Sequence, residues 1–140
     1  TKYVKLKLCT IKILSKLNNE NHILTLNSIQ SNNKNFQNVL KHFKINHYFQ
    51  KIITSDSSIM KYNEEKNRVK IKSEFYKQII SEFKFDKKNV IVVGNLASDI
   101  IPAENLNLKS LIIEGSFGFD NHVCQTCNQI NELKQILDFL

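Results

Sequence analysis

Apolar residues recur along this chain in two rhythms. Phe75, Ile79, Ile80 and Phe83 fall at three- and four-residue intervals, which predicts an amphipathic helix beginning around Lys72 and Ser73. Val90 to Val93 instead form an unbroken β-branched run stopped by Gly94, the pattern of a strand buried on both faces of a parallel sheet. The same two rhythms alternate elsewhere. Val4, Leu8, Ile11, Leu14 and Leu17 predict a helix over residues 4–17, ended by the polar stretch 18–21. Ile23 to Leu26 reads as a short buried strand ending in Asn27-Ser28. Phe36, Val39, Leu40 and Phe43 mark a helix starting near Ser31 to Asn33, and residues 45–49 a connector. Lys51 to Thr54 predicts a second strand, followed by a loop over residues 55–58. Residues 59–71 show no assignable period. Beyond residue 94 the expected elements are a helix opening at Ser98-Asp99, a strand from Ser110 to Ile113, a glycine-bearing loop from Gly115 to Gly118, and a closing helix carrying Leu133, Ile136, Leu137 and Leu140.

Helices alternating with buried strands imply βαβ units, hence an α/β fold with a parallel sheet. Pro102 falls three residues after Asp99, within the first turn of the predicted helix, where a missing N–H costs little. The strand, turn and helix of residues 89–99 set Asn95 and Asp99 beside the carboxyl end of a strand, where open α/β sheets bind ligands. An ordinary strand-to-helix loop with a capping carboxylate fits the same residues.

A length of 140 residues points to one domain, and 41% hydrophobic with 24% charged residues are globular values. No apolar run approaches the roughly 18 residues a membrane span needs. The net charge of +7 is spread over nearly every segment and is almost all lysine, Arg68 being the sole arginine. Base-reading and phosphate-forking sites lean on arginine, which argues against nucleic acid as the partner. Three cysteines make no disulfide framework, so a reducing cytoplasm is the expected setting. Cys124 and Cys127, with His122 nearby, lack the second pair that a structural zinc site wants.

The ordered set of motifs resembles the haloacid dehalogenase-like (HAD) hydrolases, and within them the phosphoglycolate-phosphatase-like branch. Val-Val-Gly-Asn-Leu-Ala-Ser-Asp, residues 92–99, is similar to that family's fourth motif, a glycine-aspartate followed three residues later by a second aspartate. Lys72, opening a helix about twenty residues earlier, is placed like the third-motif lysine, with Lys70 a close second. Ile-Leu-Thr-Leu-Asn-Ser, residues 23–28, resembles the second motif, and Gly118-Phe119 also fits the branch. The resemblance implies a three-layer Rossmann-like sheet and transfer of a phosphoryl group from a small phosphorylated metabolite to an aspartate, then to water, with Mg²⁺. It implies phosphate contacts from Thr25, Asn27 or Ser28, a fixed positive charge from Lys72, and metal contacts from Asp99 and Asn95. Thr25, Lys72 and Asp99 are thereby expected at one rim of the sheet.

Two departures qualify the resemblance. No aspartate precedes Asp56, so no early strand can present the nucleophile. The chain therefore reads as a core lacking its central nucleophile-bearing strand: the C-terminal portion of a longer protein without a cap domain, or a catalytically dead relative that binds a phosphate or a partner. Asn95 stands where the family has a metal-binding aspartate. Removing a full charge about 4 Å from another is worth on the order of 4 kcal/mol at an effective dielectric of about 20, so Mg²⁺ binding is expected to be weak or lost.

Overall fold

The computed structural model describes residue 6 and residues 9–30, 32–56, 65–113 and 128–140. The chain forms two compact units, Thr1–Met60 and Lys61–Leu140.

The first unit runs α1 (Thr10–Asn19), β1 (Thr25–Gln30), α2 (Asn33–His42), a 3₁₀ turn (Asn46–Tyr48) and β2 (Lys51–Asp56). The α1 residues Ile13, Leu14 and Leu17 are buried, as their spacing predicts. Asn32 caps α2 by accepting a hydrogen bond from the Asn35 N–H at 3.0 Å. β1 and β2 pair in parallel, from Thr25 opposite Lys51 to Gln30 opposite Asp56. Both strands run further than their apolar runs. β1 begins two residues later than expected and continues past Ser28 to Gln30, and β2 takes in Ser55 and Asp56, which read as loop. Backbone pairing over six residues, which needs no apolar side chain, sets these ends. Leu14, Leu40 and Ile45 form the core, with Leu24, Leu26, Phe36 and Ile52 against it. Gln50 ties the entry of β1 to that of β2: its Oε1 accepts from the Leu24 N–H at 2.7 Å, and its own N–H donates to the Leu24 carbonyl at 2.9 Å.

The second unit runs α3 (Glu65–Phe83), a 3₁₀ turn (Lys87–Asn89), β3 (Ile91–Gly94), α4 (Ala97–Asn105), β4 (Lys109–Ile113), β5 (Asn128–Ile130) and a 3₁₀ helix (Leu133–Phe139). Its strands are parallel in the order β3-β4-β5. Ile100, Ala103 and Leu111 are fully buried, and Ile112 and Ile130 nearly so. Each large aliphatic side chain removed from water in this way contributes about 1.5–3 kcal/mol.

Four expectations are corrected here. α3 is already helical at Glu65, so Lys72 sits mid-helix rather than at its start. The continuation was hidden because the residue on the core face at that point is the charged Lys72. β3 is not buried on both faces: Val93 is 37% exposed, and among the described residues β3 pairs on one side only, with β4. β5 was not anticipated, since three residues with one apolar side chain carry no period. The closing element is 3₁₀ rather than α. Leu133, Ile136 and Phe139 recur every third residue and pack on Leu111 and Ile130, which three residues per turn satisfies. The loop containing Gly115, Gly118 and Phe119 lies outside the described residues, as do His122, Cys124 and Cys127. Cys9 is free and exposed, in the left-handed conformation (φ 64°) before α1.

Candidate functional site

The Gly94–Asp99 turn packs against α3 within the second unit. β3 ends at Gly94, Asn95 and Leu96 turn the chain, and α4 begins at Ala97 with Leu96 as its extended N-cap. Asp99 is the third residue of that helix. Its Oδ2 accepts hydrogen bonds from the Asn95 and Leu96 N–H groups, each at 3.2 Å. Leucine cannot cap a helix with its side chain, so the carboxylate reaching back from Asp99 satisfies two N–H groups of the turn. The fold accepts this return because residue 94 is glycine. A Cβ there would lie 2.6 Å from Asp99 Oδ2 and 2.7 Å from its Cγ.

The other carboxylate oxygen faces α3. Lys72 Nζ lies 3.0 Å from Asp99 Oδ1, and the two residues are only 7% and 8% exposed. A buried lysine keeps its charge beside a carboxylate far more readily than alone. One turn along α3, the Tyr76 hydroxyl donates to the main-chain carbonyl of Asp99 at 3.0 Å. Burial, with the Asp99 charge adding to it, pushes the Tyr76 phenol well above the usual tyrosine range. Tyr76 was not singled out from the sequence. Its signal was there, since i and i+4 share a helix face and a polar-tipped aromatic beside a buried lysine has a partner to find.

The sequence candidates are divided between the two units. Lys72, Asn95 and Asp99 come together in the second unit. Lys70, the rival lysine, is on the exposed side of α3. Thr25, Asn27 and Ser28 belong to β1 in the first unit. Thr25 opens that strand, opposite Lys51, while Ser28 lies three residues nearer its carboxyl end, opposite Thr54. Pro102 is the sixth residue of α4, not a first-turn residue, and it leaves the Ser98 carbonyl without its usual helical donor. Ser98 is itself buried, and its Oγ has no hydrogen-bond partner.

The family profile of haloacid dehalogenase-like hydrolases matches residues 2–113 of the 140. The chain belongs to the haloacid dehalogenase-like hydrolases. Among solved structures, this HAD chain is similar to a candidate phosphatase from Clostridium difficile, with 26% identity and a TM-score of 0.73 over 97% of this chain and 60% of that one. It is also similar to the core domain of a candidate phosphoglycolate phosphatase from Streptococcus pneumoniae TIGR4, with 16% identity and a TM-score of 0.64 over 92% and 82% of the two chains. A HAD phosphatase from Thermococcus onnurineus gives 17% identity and a TM-score of 0.71 over 96% and 58%. The last two likenesses bear on the fold alone. The HAD chain thus spans about three-fifths of the length of the Clostridium difficile and Thermococcus onnurineus structures. No curated protein sequence matches it.

The fold is accordingly α/β with parallel strands, of HAD type. The Mg²⁺ that HAD chemistry implies finds a poor donor set here. Asp99 is bonded through both oxygens, Asn95 offers no charge, and no group of three His, Cys, Asp or Glu side chains stands together among the described residues. These residues do not fit the metal as they stand. They form a buried ion pair at the N-terminus of α4, closed by hydrogen bonds within the turn.

Proposed function

We propose that this chain is the phosphate-holding core of a HAD-type phosphatase that, in the intact protein, hydrolyses a small phosphate monoester with Mg²⁺. The observation that carries the reading is the buried Lys72 ammonium, fixed by Asp99 at the edge of the turn where the family has its fourth motif. In this reading Lys72 supplies a charge that stays in place as phosphoryl oxygens gain negative charge. The second-motif phosphate donor of the first unit is Thr25, Asn27 or Ser28. Ser28 suits that task better than Thr25, because it is nearer the strand end at which α/β sheets bind ligands. The nucleophilic aspartate comes from outside Thr1–Leu140, since no aspartate precedes Asp56, and carboxylates from that same source hold the metal. The chain alone does not turn over. A reducing cytoplasm is its proposed setting, in keeping with its cysteine content. No helix among the described residues is long and apolar enough to cross a membrane.

Asn95 favours a second reading, a catalytically dead HAD domain that binds a phosphate or a partner without hydrolysing it. The residues upstream of Thr1 decide between the two. An Asp-x-Asp after an apolar strand, with phosphatase turnover by that longer protein that Lys72→Met abolishes, is the result expected of the first. Absence of that motif and of turnover would leave the second.

A further inference from the structure

We infer that Asp99 serves in this chain as the fixed counter-ion of Lys72 and the acceptor that closes the 94–99 turn, and that this turn takes no divalent cation. The inference deepens the phosphate-holding reading, on which it rests for the purpose of Lys72. It assigns Asp99 a positioning task instead of metal ligation.

Three observations converge on it. Both carboxylate oxygens are engaged, Oδ1 by Lys72 Nζ at 3.0 Å and Oδ2 by two backbone N–H groups at 3.2 Å. A cation approaching Oδ1 would have to share it with an ammonium, against like-charge repulsion in a place with little water to screen it. Oδ2 is drawn in against the strand end, into the space that a Cβ on Gly94 would need, 2.6 Å from that position, so the carboxylate is held towards its own turn. The residue across the turn, Asn95, brings a neutral amide where a hard cation wants a charged oxygen. Mg²⁺ gives up its water reluctantly and demands near-octahedral geometry, so one already committed carboxylate does not hold it.

The same contacts give Lys72 what it lacks otherwise. A long lysine side chain has several rotatable bonds and a mobile head. Pinned between Asp99 Oδ1 and the α3–α4 packing, its ammonium becomes a charge of fixed position. Tyr76, by holding the Asp99 main-chain carbonyl, fixes the other end of that pin.

The test uses the 140-residue chain and Mg²⁺ alone, with no reading of turnover. In nuclear magnetic resonance spectra the Lys72 ammonium is expected to give a resolved signal, protected from solvent exchange by its partner. Mg²⁺ taken to millimolar concentration should shift neither that signal, nor the Asp99 carboxyl carbon, nor the Asn95 and Leu96 amides. A saturable shift of the Asp99 carboxyl carbon, or Mn²⁺ broadening centred on residues 95–99, would overturn the inference. Asp99→Asn should abolish the protected Lys72 signal with or without Mg²⁺. Its survival in that variant would equally overturn the inference. The phosphatase reading is decided separately, by turnover of the longer protein.

Discussion

The Tyr76 hydroxyl donates to the main-chain carbonyl of Asp99 at 3.0 Å, and so joins α3 to the first turn of α4 at the residue that also holds Lys72. One helix thus grips one aspartate twice, through its charge and through its backbone. Each contact predicts a separable effect.

Tyr76→Phe removes one buried hydrogen bond and should cost about 1 kcal/mol at neutral pH. The pH dependence adds a sharper signature. An unfolded tyrosine ionises near its ordinary value of 10.0, whereas folded Tyr76 ionises well above it, chiefly through burial. Its contribution is therefore whole below pH 10.0 and lost as pH rises towards the folded value. Between pH 10.0 and the folded value the unfolded chain has released a proton that the folded chain keeps, and stability falls by about 1.4 kcal/mol per pH unit. Urea unfolding of the wild type and the variant should show their stability gap closing in alkali. A gap unchanged from neutral to alkaline pH would contradict the assignment.

Lys72→Met strands the Asp99 carboxylate in a buried site and should cost about 3–5 kcal/mol. Lys72→Met combined with Asp99→Asn removes both charges but leaves an oxygen to accept from the turn's N–H groups, and part of that loss should return. A double-mutant cycle by denaturant unfolding measures the coupling. Strict additivity of the two losses would mean that the pair does not interact.

Gly94→Ala tests the close approach of strand end and carboxylate. The added Cβ must displace Asp99, so a loss of about 1–3 kcal/mol is expected. The Lys72–Asp99 pair should be disturbed with it, which the Lys72 ammonium resonance reports. A neutral substitution would show that the turn has slack the structure does not suggest.

Ile100 is fully buried beneath α4. Ile100→Ala should cost about 2–5 kcal/mol through lost burial and the cavity left behind. Ile11→Ala, at a position 47% exposed on α1, serves as the control and should stay within about 0.5 kcal/mol of wild type.

Much of this arrangement was legible in the residues. The β-branched run before Gly94 placed β3 to within a residue, and the position of Asp99 after it placed α4. Lys72 is preferred to Lys70 in the sequence for its place at a helix start about twenty residues before the fourth motif. The helix starts earlier, at Glu65, yet the two lysines do fall on opposite sides of α3, one buried beside Asp99 and one exposed. What escaped the sequence has physical causes. A core position filled by lysine breaks the apolar stripe that marks a helix, so the first two turns of α3 were unreadable. Strand ends set by backbone pairing have no side-chain period, so Ile29, Gln30, Ser55 and Asp56 fall outside the strands that the sequence predicts. Tyr76 is readable only once Lys72 is known to face the core, since it then lies four residues on along the same helix face.

The most direct test of the account is p-nitrophenyl phosphate hydrolysis by the pure 140-residue chain with Mg²⁺. With Lys72 held by Asp99 and no nucleophilic aspartate supplied, release of p-nitrophenolate should not exceed the uncatalysed rate. Turnover that rises with Mg²⁺ and disappears in Lys72→Met would contradict it.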